Sequence, residues 1–243
     1  MEEYRAGYRI LVADDDINVH QSLNTYFRRE GYQMISAYDG QEAIDHVRKS
    51  RPDIVLLDIM MPKMDGLMVC REIRKETNLP IIMLTAKGEE FDKLLGLELG
   101  ADDYITKPFR PLEMVARVKA QLRRYKKYNP AHGAEEEGEI MEHAGLVLNA
   151  KTHECLLDEQ PLALTPTEFS LLRILLENKG NVVSAEELFH QIWKDEYYTK
   201  NNNTITVHIR HLREKLRDSV EHPRFIKTIW GVGYKIETHP SKG

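Results

Sequence analysis

Four continuous apolar runs constrain this chain more than any other feature: Ile10-Leu11-Val12-Ala13, Ile54-Val55-Leu56-Leu57, Ile81-Ile82-Met83-Leu84 and the shorter Tyr104-Ile105-Thr106. They do not alternate with polar residues, which is the pattern of strands covered on both faces. Helical patterns lie between them, at 17–29, 41–49, 67–75, 89–99 and 111–124, and none is apolar all round. Such helices coat a sheet with one face each. Gly31, Gly40, Pro52, Pro62, Gly66, Pro80 and Gly100 punctuate the gaps. Five strands alternating with five helices predict an α/β fold, a doubly wound five-stranded parallel sheet.

Each run ends on residues able to do chemistry. Asp14 and Asp15 follow the first, Asp58 the second, Thr85 the third, and Lys107 with Pro108 the fourth. In an open parallel sheet the carboxyl ends of the strands face one crevice, where such folds bind ligands. Three carboxylates, a hydroxyl and an ammonium therefore converge. The carboxylates repel one another, and one would take up a proton unless a cation relieves them. Lys107 is one such cation, compact on a flexible stem. A divalent ion such as Mg²⁺ is the other, with hard oxygen ligands in octahedral geometry at roughly 2.1 Å. So relieved, Asp58 can attack a phosphoryl donor as a carboxylate nucleophile and carry an aspartyl-phosphate. Lys107 and Thr85 would hold the phosphoryl oxygens. Asp16 reads as a helix N-cap.

The stretches ILVADDD, IVLLDIMMPKMDG, IIMLTAK and GADDYITKPF resemble, in order and spacing, the flavodoxin-like receiver domain of bacterial response regulators, over residues 5–127. The resemblance implies Asp58 as phosphoacceptor. It implies Mg²⁺ held by Asp15, Asp58 and the Met60 carbonyl, with Asp14 acting through water. Thr85 and Tyr104 become a switch pair, and Lys107 the phosphate contact ahead of a cis bond to Pro108. It further implies a partner sensor histidine kinase, and homodimerisation on phosphorylation across the fourth helix, fifth strand and fifth helix. There Lys93 would face Glu113, Asp103 would face Arg117 and Asp102 would face Arg124 of the second copy. Such a domain accepts a phosphoryl group and loses it slowly by autodephosphorylation; it is not an enzyme. A haloacid-dehalogenase-type phosphatase also places an Asp two residues after a strand-end Asp, but that reading leaves Asp58 idle.

The second half has a different pattern. Pro130, Gly133 and the cluster Glu135-Glu136-Glu137 with Glu139 mark a solvated linker over 128–142. A second domain is expected over 143–238. Thr165, Pro166 and Glu168 form a helix start with N-cap, first-turn proline and capping-box glutamate, followed by Leu171, Leu172, Leu175 and Leu176. Ser184 with Glu187 repeats the spacing. A third helix, from about Asn203 to Arg217, turns Ile205, Ile209, Leu212 and Leu216 inward. Phe225–Trp230 and Tyr234–Ile236 flank Gly231-Val232-Gly233 as a hairpin.

LTPTEF, NTITVHIRHLREKL and WGVGYKI in this region resemble the α+β winged helix-turn-helix effector of the OmpR/PhoB family. The resemblance implies a third helix in the major groove of double-stranded promoter DNA and a hairpin reaching the minor groove, with RNA polymerase a further partner. Asn203, Thr206, Val207, His208, Arg210 and His211 are the candidate reading residues. Arg213 and Lys227 are candidate phosphate anchors, and Thr228 and Trp230 lie on the hairpin. Relatives often carry Arg where Trp230 stands, and an indole cannot neutralise phosphate. The stretch FRPLEMVARVKAQLRRYKKY and residues 164–236 are most similar to the VanR-type regulators of glycopeptide resistance.

Charge agrees locally. The 243-residue chain holds 34 Lys and Arg against 39 Asp and Glu, so bulk attraction to nucleic acid is absent. Residues 200–235 reverse this, with eight Lys or Arg against three acids. Cys70 and Cys155 fall in different predicted domains, so no disulfide framework is expected and a reducing cytoplasm fits. No apolar stretch is long enough to span a membrane.

Overall fold

The computed structural model describes residues 7–86, 96–127, 140–193 and 204–238. The chain divides into two compact units, Met1–Tyr125 and Lys126–Gly243.

The first unit is a five-stranded parallel sheet of β1 (Arg9–Ala13), β2 (Gln33–Ala37), β3 (Ile54–Asp58), β4 (Ile81–Ala86) and β5 (Asp103–Lys107), in the order β2-β1-β3-β4-β5. Helices α1 (Ile17–Arg29), α2 (Gly40–Ser50), α3 (Gly66–Glu76) and α4 (Pro111–Lys127) pack on it. Of the helical pattern expected over 89–99, only the part from residue 96 is described, and 96–98 are helical. Successive residues of each apolar run serve opposite faces, which is why the runs do not alternate in polarity. Leu11, Val55, Leu57, Ile81 and Met83 join Ala43 and Ile44 of α2 and Val69, Cys70 and Ile73 of α3 in one core. Ile10, Val12, Ile54, Leu56, Ile82 and Leu84 join Leu23 and Phe27 of α1 and Met114, Val115, Val118 and Leu122 of α4 in the other. Each buried Val, Leu, Ile, Met or Phe among them contributes roughly 1.5–3 kcal/mol by leaving water.

The helix starts follow the sequence. Asp16 accepts from the Asn18 amide at 2.8 Å, Asp39 from Glu42 at 2.9 Å and Asp65 from Met68 at 2.8 Å. Gly66 opens α3 so close to β3 that a Cβ there would stand 2.0 Å from the Asp58 carbonyl oxygen.

In the second unit an antiparallel sheet, β6 (Ile140–His143), β7 (Leu146–Asn149), β8 (Cys155–Leu157) and β9 (Gln160–Pro161), precedes α5 (Pro166–Glu177), β10 (Val183–Ser184), α6 (Ala185–Trp193) and α7 (Thr204–Leu216). The chain then forms β11 (Ile226–Ile229) and β12 (Gly233–Ile236), giving a second sheet in the order β10-β12-β11. Ile140 pairs with Asn149, so residues 140–142, expected to be linker, belong to β6. The full capping box forms at α5: Glu168 N–H donates to Thr165 Oγ1 at 3.4 Å and Thr165 N–H to Glu168 Oε2 at 2.7 Å. At α6 the Glu187 amide donates to Ser184 Oγ at 3.0 Å. Leu171, Leu172, Leu175, Leu188, Phe189, Ile192, Ile205, Ile209, Leu212, Ile226 and Ile236 form the core.

Candidate functional site

The strand order reverses direction between β1 and β3, and the crevice beyond their carboxyl ends is where doubly wound sheets bind ligands. Asp14 and Asp15 leave β1 there, and Asp58 closes β3. Each of the three offers a carboxylate oxygen, and these oxygens lie within 4.8 Å of one another. Asp14 and Asp58 are buried and Asp15 is exposed. Lys107, at the end of β5, brings Nζ to 2.7 Å from Asp14 Oδ2 and 3.1 Å from Asp58 Oδ1. The peptide bond from Lys107 to Pro108 is cis.

These neighbours set the protonation of the site. Burial pushes the Asp58 carboxyl up to about 6, Lys107 pulls it down, and Asp14 and Asp15 add to the rise. Burial alone would lower Lys107, but the Asp14 and Asp58 carboxylates outweigh it and hold its ammonium above the usual range. The Asn18 amide, as a hydrogen-bond donor, holds Asp16 below the usual carboxylate range. Asp16 is thus the N-cap, outside the acidic cluster.

Thr85 is buried at the end of β4, and Tyr104 is half-buried on β5 against the α2–α3 core. Met60 follows β3 by two residues, with its side chain in solvent. His20 is a residue that the sequence reading misses. It is buried, and its Nε2 donates to the Asp14 carbonyl at 2.7 Å, tying α1 to the loop that carries the acidic pair. The signal lies in the spacing of His20, Leu23 and Phe27, which puts all three on the inward stripe of α1.

The charges expected to face a second copy have partners within the chain. Asp102 is fully buried and pairs with Arg74 at 2.8 Å. Arg117 pairs with Asp103 at 3.0 Å and with Glu113 at 3.3 Å. Lys93 and the Arg124 side chain lie outside the described residues.

In the second unit α7 does not present the broad polar face that its composition suggests. Thr206, Arg210, Glu214 and Arg217 are exposed, whereas Val207, His208, His211 and Arg213 are buried. His208 turns toward Trp193 of α6, with ring centroids 6.1 Å apart. Burial holds the His211 imidazole below its usual pKa, opposed by Glu168 and Glu214. Arg213 is a clamp, and its Nη2 donates to the Ile226 carbonyl at 2.7 Å and to Thr228 Oγ1 at 2.9 Å. Thr206 Oγ1 and Tyr234 Oη, 3.3 Å apart, make a second tie between α7 and the hairpin. Lys227 pairs with Glu237 at 3.1 Å. Trp230 is exposed at the hairpin turn. Asn203 lies outside the described residues.

Comparison with known proteins agrees with both halves. The family described as "Response regulator receiver domain" matches residues 10–119, and "Transcriptional regulatory protein, C terminal" matches 159–236. Regulatory protein VanR of Enterococcus faecium is 57% identical over 230 residues, covering 94% of this chain and 98% of that protein. The alkaline phosphatase synthesis transcriptional regulatory protein PhoP of Bacillus subtilis is 44% identical over 233 residues, covering 94% and 96%. A solved structure of a RitR mutant superposes with a TM-score of 0.72 at 27% identity, covering 95% of this chain and 99% of that one. With the acidic crevice in its first unit and the three helices and hairpin in its second, the chain belongs to the response regulators of two-component systems, as a DNA-binding transcriptional regulator that joins a receiver domain to an OmpR/PhoB-type winged-helix domain.

Proposed function

We propose that Asp58 accepts a phosphoryl group from a sensor histidine kinase and that the second domain, spanning about 140–238, then engages promoter DNA as part of a homodimer. The observation that supports this best is the Asp58 carboxylate at the end of the central strand, 3.1 Å from Lys107 Nζ and grouped with Asp14 and Asp15. The all-oxygen donor set fits Mg²⁺; Asp14, Asp15, Asp58 and the Met60 carbonyl are the residues that would hold it. When bound, that ion would neutralise charge on the transferring phosphoryl group.

The chain's own residues do the rest. An Asp58 oxygen attacks phosphorus in line with the leaving group on the donor, and the new acyl-phosphate bond forms as the donor bond breaks. Lys107, already pointed at Asp58, would move onto a phosphoryl oxygen, and Thr85 with Tyr104 would follow as the switch pair. On DNA, Thr206 and Arg210 face outward from α7, and Arg210 suits guanine acceptors. RNA polymerase is the partner a promoter-bound regulator serves. The likeness to VanR supports a setting in glycopeptide resistance.

The test is intact mass after incubation with Mg²⁺ and a small phosphodonor such as acetyl phosphate. The wild-type chain gains one phosphoryl group, and Asp58→Ala and Asp58→Asn gain none. Stoichiometric phosphorylation of Asp58→Ala would remove the assignment.

A further inference from the structure

We infer that His20 is a positioning residue for metal loading: its hydrogen bond to the Asp14 carbonyl fixes the peptide plane between Asp14 and Asp15 and so aims the Asp15 carboxylate into the crevice. This role rests on the reading of that crevice as a Mg²⁺-dependent phosphoacceptor site. Asp14 is clamped at every polar atom. Its N–H donates to the Ala37 carbonyl at 3.1 Å, at the end of β2, and its own carbonyl accepts from His20 Nε2 at 2.7 Å. Its Oδ1 accepts from the Asp16 amide at 3.0 Å, and its Oδ2 stands 2.7 Å from Lys107 Nζ. A peptide unit is planar, so holding the Asp14 carbonyl also holds the Asp15 N–H and the direction in which Asp15 departs. Asp15 is the exposed member of the acidic trio. Its carboxylate takes its aim from the backbone rather than from packing.

His20 is itself held. It is 3% exposed on the inward stripe of α1, beside Leu23 and Phe27, and its ring lies against Tyr38 with centroids 4.6 Å apart. Tyr38 is fixed in turn by the start of α2. Its amide donates to Glu42 Oε2 at 2.8 Å, and the Glu42 amide donates to Asp39 Oδ1 at 2.9 Å. A carbonyl only accepts, so the His20 proton lies on Nε2. Nδ1 is buried and, among the described residues, has no hydrogen-bond partner. The one ring nitrogen in use is therefore the one that faces the acidic loop. An apolar side chain would fill this place on α1 without burying an unpaired polar atom. What histidine adds is the bond to Asp14.

The probe is Mn²⁺ alone, which takes the same hard oxygen ligands as Mg²⁺ and whose free form is counted directly by electron paramagnetic resonance. It is titrated into the full-length chain without phosphodonor. His20→Leu fills the place and removes the donor. Its Kd for Mn²⁺ should rise roughly tenfold, the low end of the cost of losing a bond that orients a metal ligand. His20→Gln should restore wild-type affinity, because its Nε2 stands as many bonds from Cα as that of histidine. His20→Asn, whose amide nitrogen corresponds to Nδ1, should bind as weakly as His20→Leu. With acetyl phosphate, the Mg²⁺ concentration giving half the maximal rate of phosphorylation should rise in His20→Leu by the same factor, and the rate at saturating Mg²⁺ should hold. A lower saturated rate with unchanged Mn²⁺ affinity would mean a merely structural role and overturns the inference. Equal affinity in His20→Gln and His20→Asn does the same, and that contrast decides the matter if His20→Leu does not fold. If wild type binds no Mn²⁺, or Asp15→Asn binds it as well as wild type, the metal-site reading itself fails. If wild type binds and a folded His20→Leu binds equally well, only the role of His20 fails.

Discussion

Asp58 and Arg213 are both charged groups held inside this protein, and their partners give them opposite duties. Asp58 is crowded by Asp14 and Asp15 and only partly relieved by Lys107, so its carboxyl is pushed up to about 6. In the unfolded chain it returns to about 4. The folded state therefore holds the Asp58 proton more tightly, and this contribution to stability is fully present below pH 4 and lost as pH rises through 6. Asp58→Asn has no such titration. In chelator, its stability should gain on wild type between pH 4 and 6 and keep a constant advantage above that. Urea unfolding across this window measures the gain, and a flat difference would exclude a raised Asp58 pKa. The residues of this crevice were legible in the sequence because each ends an apolar run, and strand ends in a parallel sheet must meet. The bond from His20 to the Asp14 carbonyl was not, since nothing in the order of residues says which carbonyl a buried imidazole will find.

At the scale of the element, α7 shows where periodicity stops being informative. Its apolar stripe, Ile205, Ile209, Leu212 and Leu216, faces the core as the spacing demands. The opposite side was expected to be open as a whole. At 100° per residue the exposed positions Thr206, Arg210 and Glu214 occupy an arc of only about 80°. One flank is closed by the Arg213 clamp to β11, and the other turns toward α6 and the start of α5, where Lys215 pairs with Glu168 at 2.6 Å. Polarity alone could not reveal this, because Arg213 and His208 are as polar as the residues left outside. The consequence is a division of labour that differs from the sequence expectation. Arg213→Ala should destabilise the second domain by about 2–4 kcal/mol, by leaving the Ile226 carbonyl and Thr228 hydroxyl without their charged donor. Arg210→Ala should leave thermal unfolding unchanged and alter the sequences enriched from a random duplex pool, at roughly 1–3 kcal/mol per affected base pair. If Arg213→Ala unfolds like wild type and merely flattens the salt dependence, it is a phosphate anchor after all.

For the molecule as a whole, the proposed homodimer turns on what would join two copies. The six charges expected to pair between receivers include Asp102, Asp103, Glu113 and Arg117, and all four are engaged inside one chain. Exchanging such pairs for identical pairs across an interface gains little, because each bond made outside the chain replaces one lost inside it. In the proposed homodimer, attraction would come from apolar surface, with the charges fixing orientation. On α4, Leu112 and Ala116 stand one turn apart and are both exposed, beside Glu113. Ala116→Glu places a carboxylate on that strip without entering the core, so the receiver should fold and gain its phosphoryl group as wild type does. It should also weaken dimerisation of the phosphorylated chain at least tenfold, about 1.4 kcal/mol, in sedimentation velocity. Arg117→Glu makes the contrast. It sets a third carboxylate beside Asp103 and Glu113 and should destabilise the receiver itself, so any loss of dimer there cannot be assigned to the interface. A phosphorylated Ala116→Glu chain that sediments as the wild-type dimer would place the contact on another face of the receiver, because an ionised side chain on an exposed helix position cannot be accommodated in a closely packed apolar seam.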